Sequence, residues 1–348
     1  MADSRHPTFF VSHEGDVMKT MFRLTNVTKR FGKTVALEAV SLEAPPGTVV
    51  ALLGENGAGK TTSLKILLGL CDPDRGEAEV LGLSSRRQGR EIRRRVGYVP
   101  DKPQMYGWMT VDEAGWFAAG FHGPNTYMQF CKLMKRFELS PTQKLKTLSK
   151  GQLAKVSLAV SLAHEPELLI LDEPTSGLDP IVRRDFLSSM SDVAAEGRTV
   201  LLSSHQIHEV ERVADIVAIL RKGKLVVFER LDDLKQSVRE ITLTLPSGSP
   251  DPADVPGTLI SQQRIGQQWR ALVREVHDDD LLSLQARADF ARVDVRVPSL
   301  EEIFVGYLHP DKVPGAGGTW TPADELPLGE PAGVSPRTSS NERTSSEG

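Results

Sequence analysis

The stretch Gly54-Glu55-Asn56-Gly57-Ala58-Gly59-Lys60-Thr61-Thr62 follows an apolar run and precedes a helical pattern, with the spacing of a phosphate-binding loop. Glycines let successive backbone N–H groups curl around a phosphate, and the following helix N-terminus adds partial positive charge. In such a loop Lys60 bridges the β- and γ-phosphates, Thr61 offers its hydroxyl to Mg²⁺, and Thr62 lies near the α-phosphate. A second acidic element comes later, in Leu168-Leu-Ile-Leu-Asp172-Glu173-Pro174. Its four apolar residues predict a central strand with two carboxylates at the C-terminal end, where open α/β sheets place their ligands. Asp172 is expected to hold Mg²⁺ through water, and Glu173 to orient or deprotonate an attacking water. The pair of elements predicts Mg²⁺-dependent cleavage of a nucleoside triphosphate.

The elements that must position these residues can be read from periodicity. Phe22, Leu24 and Val27, then Val35, Leu37 and Val40, alternate as in antiparallel strands with one buried face. Thr48–Leu53 is a continuous apolar run, as in a strand buried on both faces, and Thr61–Leu70 has a helical pattern. Residues 110–164 read as mostly helical, opened by the capping-box signature Thr110-Val-Asp-Glu113. Further strands are predicted at Leu168–Leu171, Thr199–Ser203 and Ile216–Leu220, with helices between them. This alternation implies an α/β domain with a mainly parallel sheet.

After residue 238 the pattern changes. Ile241–Leu245, Arg270–Val276 and Val293–Val297 read as strands, Asp279–Phe290 as a helix, and Ser299-Leu-Glu-Glu302 as the capped start of a helix ending near Leu308. The expected organisation is an unstructured leader (1–20), an α/β domain (21–238) with a helical subdomain (about 98–164), a small α+β appendage (239–309) and a disordered tail (310–348). Patterned sequence begins at Met21, so Met18 or Met21 could serve as the start.

Composition narrows the class. Of 348 residues, 42 are basic and 46 acidic, a net charge of −4 that offers no global cationic footprint for nucleic acid. No apolar run reaches the roughly 18–20 residues needed to span a bilayer, and residues 1–20 lack the layout of a secretory signal. Cys71 and Cys131 have no metal-ligand spacing and are expected to stay reduced in a cytosolic protein.

Three more pieces carry a resemblance. Leu148-Ser149-Lys150-Gly151-Gln152 opens an amphipathic helix before the acidic strand, Ser176-Gly-Leu-Asp179 follows it, and His205 comes after the strand Thr199–Ser203. With the phosphate loop, their order and spacing over residues 21 to about 230 resemble the ATP-binding subunit of ATP-binding cassette (ABC) transporters. That resemblance implies a P-loop NTPase cassette: a mainly parallel core sheet, an antiparallel β subdomain and an α-helical subdomain, here with a small α+β C-terminal appendage.

Roles at matching positions are implied by the same resemblance. Ser149, Gly151 and Gln152 belong to a signature loop that grips the γ-phosphate of ATP held by a second copy. Phe31 stacks on adenine, His205 contacts the γ-phosphate, and Asp179 lies in a loop crossing the dimer interface. Two departures stand out. Lys150 occupies the place of a usual glycine, and Asp101 that of the loop glutamine near the metal and nucleophile. Gln104 is the alternative to Asp101 by a loop shift.

The expected machinery is therefore ATP with Mg²⁺. Glu173, His205 and Lys60 are catalytic; Thr61, Asp172 and Asp101 surround the metal; and residues 54–62, Phe31, Asp101, Ser149, Gly151, Gln152 and Asp179 contact nucleotide. The resemblance implies an exporter-type subunit, on the cytoplasmic face of the cell membrane, paired with an identical or paralogous cassette. Its partner is a polytopic permease docked near the helical insert at Tyr98–Glu113. The alternative is a soluble cassette ATPase acting on ribosomes or DNA. His205-Gln-Ile-His208-Glu209 has no obvious third zinc ligand, and the arginine-rich stretch Arg86–Arg95 reads as a solvated helix face.

Overall fold

Alternating burial shapes the first part of the chain. The computed structural model describes residues 20–252 and 254–310; the leader and tail expected from the sequence fall almost wholly outside them. Strands β1 (Phe22–Phe31) and β2 (Thr34–Ala44) pair antiparallel. Phe22, Leu24, Val27, Leu37, Val40 and Leu42 are buried between them and the core. Strand β3 (Val49–Gly54) is buried at every position, as its unbroken apolar run predicts, and leads through the phosphate loop into α1 (Lys60–Leu67). Strands β4 (Arg75–Val80) and β5 (Leu83–Ser84) complete an antiparallel sheet of order β2-β1-β4-β5.

Helix α2 (Ser85–Arg95) carries the arginine-rich stretch. Arg93 is not merely solvated: its guanidinium donates to the carbonyl oxygens of Leu68 (2.9 Å) and Gly69 (3.2 Å). It thereby satisfies acceptors that the end of α1 leaves open. Strand β6 (Val96–Val99) follows.

Residues 101–110 form turns and loop, so the helical insert expected near Tyr98–Glu113 begins only at α3 (Val111–Ala119). Pro100 and Pro103 oppose helix in this segment, and the Thr110–Glu113 capping box sets the helix start. Helices α4 (Thr126–Arg136) and α5 (Lys150–Leu162) pack with α3. The chain then alternates: β7 (Leu168–Asp172), α6 (Pro180–Ala195), β8 (Thr199–Ser204), α7 (Ile207–Val210), β9 (Ile216–Arg221) and β10 (Lys224–Arg230).

The central sheet has the order β10-β9-β3-β8-β7-β6. All neighbouring pairs are parallel except β10 on β9. Because β3, β8 and β7 are adjacent and parallel, their C-terminal ends bring the phosphate loop, Asp172-Glu173 and Ser204-His205 to one edge of the sheet. That edge is where helix N-termini and loops can surround a ligand.

Past α8 (Leu231–Ser237), strands β11 (Val238–Thr244), β12 (Thr258–Ile265) and β13 (Gln268–Arg274), helix α9 (Asp278–Gln285), strand β14 (Arg292–Arg296) and helix α10 (Leu300–Leu308) complete the described chain. The strands form an antiparallel sheet of order β12-β13-β11-β14. Strand β12 escaped the sequence pattern because it is an edge strand with only one fully buried residue, Ser261. Helix α9 stops at Gln285 rather than Phe290, since Arg287 and Asp289 close a turn (2.7 Å) before β14.

This sheet has its own core around Trp269, but α10 does not belong to it. Leu300, Ile303, Phe304 and Leu308 join the hydrophobic cluster that contains Val49, Leu171 and Ile219. Arg274 of β13 also pairs with Glu229 of β10 at 2.6 Å.

Candidate active site

The phosphate loop is built by close approach. Gly59 has φ of +108°, and a Cβ there would lie 2.5 Å from the carbonyl oxygen of Ala36, so only glycine fits against β2. Helix α1 starts just after it with no side-chain cap and no acidic residue in its first turn. Its first amides are thus left for an incoming acceptor. Asn56 and Gly57 are exposed at the rim, while Ala58 is buried and donates its N–H to Glu55 O at 3.1 Å. Glu55 Oε1 lies 3.4 Å from Nε2 of His309, at the end of α10. Lys60 is buried; its Nζ donates to Gly54 O (2.7 Å) and stands 3.1 Å from Glu173 Oε1.

Asp172 ends β7 at 2% exposure. Its Oδ1 accepts from Thr61 Oγ1 (3.0 Å) and from Ser203 Oγ (2.8 Å). Glu173 comes next, with φ of +47°, and donates its N–H to Ser203 Oγ at 3.0 Å. Its Oε2 lies 2.8 Å from His205 Nδ1. Burial pushes the Glu173 carboxyl up, but the His205 hydrogen bond and the Lys60 charge outweigh it, so the pKa falls below the ordinary glutamate value. Glu173 is therefore a carboxylate at neutral pH.

Sequence reasoning assigned no role to Ser203. The available signal was a pair of serines closing an otherwise apolar strand, two residues before His205.

Tyr98 sits beside the acidic cluster. Burial, with the charges of Asp172 and Asp101 adding to it, pushes its phenol up to about 12. Asp101 itself is exposed, as is Gln104. Asp101 lines a cavity of about 350 Å³ together with Lys150, Pro174, Ser176, Gly177 and Leu178. The two departures from the family pattern, Asp101 and Lys150, thus face one space.

Phe31 is 55% exposed, with Lys29 Nζ 5.3 Å from its ring centroid, so it is a surface aromatic and not a core one. Thr62 is half-buried in the first turn of α1. Ser149 caps α5 in a reciprocal box: Ser149 Oγ accepts from Gln152 N, and Gln152 Oε1 accepts from Ser149 N. Gly151 lies against Val182 of α6, where a Cβ would come within 2.8 Å of Val182 Cγ1. Asp179 caps α6 by accepting from the N–H groups of Ile181 and Val182. The signature segment and the Asp179 loop are therefore adjacent helix starts, both exposed at their caps.

The donor set suits a nucleotide–metal pair. Thr61 Oγ1 and Asp172 Oδ1 are hard oxygen ligands 3.0 Å apart. Mg²⁺ typically takes one or two such protein groups and completes its shell with phosphate oxygens and water. Among the described residues no group of three or more His, Cys, Asp or Glu could hold a metal alone.

Residues 37–176 match the family described as ABC transporter. The probable multidrug ABC transporter ATP-binding protein YbhF of Escherichia coli is 34% identical over 227 residues, 64% of this chain and 39% of YbhF. This chain thus spans about two-fifths of the length of that relative. The uncharacterised ABC transporter ATP-binding protein YhaQ of Bacillus subtilis is 30% identical over 299 residues, 82% of this chain and 97% of YhaQ. Among solved structures, an ATP-binding subunit of an ABC transporter superposes with a TM-score of 0.58 at 31% identity, over 62% of this chain and 92% of that one. A dimeric ATP-binding cassette in a post-hydrolysis state with ADP and Pi matches with a TM-score of 0.56 at 25% identity, over 61% and 99%.

Proposed function

This chain belongs to the ABC transporter family, and from that premise we propose that it is the ATP-binding and ATP-hydrolysing subunit of an exporter whose membrane-spanning part is a separate chain. One observation carries the reading. Lys60, Thr61, Asp172, Glu173 and His205, drawn from three separate segments, meet through Ser203 in one connected set of hydrogen bonds and ion pairs around a phosphate loop.

In this reading the loop amides and Lys60 hold the triphosphate. Glu173, ionised and oriented by His205, takes the proton of an attacking water. His205 then follows the γ-phosphate. Mg²⁺ held by Thr61 and Asp172 would offset the charge that develops on the phosphoryl oxygens. Phe31 offers an exposed ring for the adenine, and Asp101 stands where the family resemblance implies a glutamine.

The second half of each site comes from another cassette, identical or paralogous. Ser149 and Asp179 cap exposed helix starts, with Gly151 and Gln152 half-buried behind Ser149, an arrangement suited to a γ-phosphate held across an interface. The likeness to a dimeric cassette holding ADP and Pi supports this arrangement.

Docking to the permease uses an aromatic ladder. Tyr106, Trp108, Phe117 and Phe121 are exposed with ring centroids 5.3–6.0 Å apart, and Trp116 beside them is also exposed. Such a contiguous apolar patch marks an interaction surface. It lies on the loop and helix that follow Asp101, so a partner there would feel changes at the nucleotide. No helix of the described residues is long and apolar enough to cross a membrane. In this reading the subunit works on the inner face of the cell membrane through its partner, and the likeness to a probable multidrug transporter subunit supports a drug-like cargo.

The test is Mg²⁺-dependent ATP hydrolysis by the purified chain, with co-purification of a polytopic membrane protein in detergent. A chain that neither binds nor hydrolyses ATP would overturn the reading. Salt-sensitive association with nucleic acid in place of a membrane partner would favour the soluble ATPase.

A further inference from the structure

We infer that Ser203 is a positioning residue that holds the two acidic groups of the site in one fixed register. Its side chain is fully buried at the end of β8. The single hydroxyl makes two bonds at once, accepting from Glu173 N–H (3.0 Å) and donating to Asp172 Oδ1 (2.8 Å). That same Oδ1 receives the Thr61 hydroxyl at 3.0 Å. One hydroxyl therefore orients the carboxylate that faces the metal position and pins the backbone of the carboxylate that would act as base.

The backbone bond matters because Glu173 is in the left-handed region, φ +47°, which a residue with a Cβ adopts only under constraint. Two constraints are visible: the turn closed by Ser176 N–H on Glu173 O (3.1 Å) and the bond to Ser203. Without the second, the Glu173 amide loses its acceptor and the residue is free to relax toward extended backbone. Its carboxylate would then leave His205 and Lys60. The neighbouring Ser204 cannot take over, since its Oγ accepts from Gln206 N (3.0 Å) and shapes the turn into α7.

The inference rests on the ATPase reading, and the experiment separates the two. In the full chain, Ser203→Ala is expected to lower kcat about 10–100-fold while KM for ATP stays within about threefold, the scale seen when groups that orient metal ligands are lost. Ser203→Thr, which keeps the hydroxyl, is expected to restore most of the activity; Ser203→Cys, with a weaker donor, gives an intermediate kcat and serves if the alanine variant does not fold.

Ser85→Ala is the control for loss of a buried hydroxyl away from the site, because Ser85 Oγ donates to Leu67 O at 2.8 Å. It should cost thermal stability and no turnover. Calorimetry gives a readout apart from activity: Ser203→Ala should lose about tenfold of the Mg²⁺ enhancement of ADP binding, with Mg²⁺-free affinity unchanged. A kcat loss no larger than that of Ser85→Ala, or one confined to KM, overturns the inference. A wild-type chain without ATP binding or hydrolysis sinks the ATPase reading and this inference together; an active wild type with an indifferent Ser203→Ala sinks only the latter.

Discussion

Lys60 and Glu173 form an ion pair, Nζ to Oε1 at 3.1 Å, with both side chains largely out of solvent. The cation of the phosphate loop is thus neutralised by the carboxylate assigned as base. In the proposed ATPase, a γ-phosphate entering the loop would compete with Glu173 for Lys60 and release the displaced carboxylate to act on water.

Glu173→Gln should separate binding from turnover. The amide cannot accept the water proton, so steady-state ATP hydrolysis is expected to drop about 10²–10⁴-fold. Nucleotide affinity should hold or rise, because Gln competes less well for Lys60. Calorimetry beside a phosphate-release assay checks both, and unchanged turnover would remove Glu173 from the chemistry.

Lys60→Ala removes the cation from both partners. ATP affinity should fall at least about tenfold as a charge-assisted contact is lost. Folding stability should fall by about 1–3 kcal/mol, since a mostly buried carboxylate loses its strongest positive neighbour. Wild-type affinity would contradict the cradle built around this lysine.

The depressed Glu173 pKa makes a signed prediction. A carboxylate whose folded pKa lies below its unfolded value stabilises the fold above the unfolded value, and that stability is lost as pH falls through the folded one. The difference in melting temperature between wild type and Glu173→Gln should therefore be constant from neutral pH to about 5 and narrow below it. A difference that stays constant below pH 5 would remove Glu173 from the linkage.

Ser149→Ala should have two separable effects. Loss of the capping box at α5 costs about 1 kcal/mol of stability. Loss of the outward hydroxyl should also abolish ATP-dependent dimerisation, read by size-exclusion chromatography with light scattering on a Glu173→Gln background. A dimer of wild-type strength would remove Ser149 from the interface.

Trp116 is 68% exposed, so Trp116→Ala should change stability by no more than about 0.5 kcal/mol. Binding to the membrane subunit should weaken about tenfold or more, as expected for an aromatic anchor. Co-purification at wild-type yield would move the docking surface elsewhere.

Much of the core was legible because its signals are local. The unbroken apolar run Thr48–Leu53 fits a doubly buried strand, and the alternation from Phe22 to Val40 fits a half-buried antiparallel pair. The boxes at Thr110 and Ser299 start helices where a cap and its partner three residues on can serve one another. Strand β12 and the loop at 101–110 were missed or misread because neither carries an apolar period of its own; one is held by β13, the other by its prolines and the helix cap behind it.

By itself, then, the sequence determined the chemistry within each segment: the glycine nest before Lys60, the adjoining carboxylates of Asp172 and Glu173, and the alternation of strands and helices around them. Spacing along the chain encodes these directly, since nearest neighbours meet whatever the rest of the fold does. Only the tertiary structure decided that Ser203 ties the Asp172 carboxylate to the Glu173 backbone N–H, that Gly151 packs against Val182, that Asp101 and Lys150 share a cavity, and that α10 joins the cassette core. Those contacts join residues tens to hundreds of positions apart, and the order β10-β9-β3-β8-β7-β6, not proximity in sequence, sets which side chains lie across from one another.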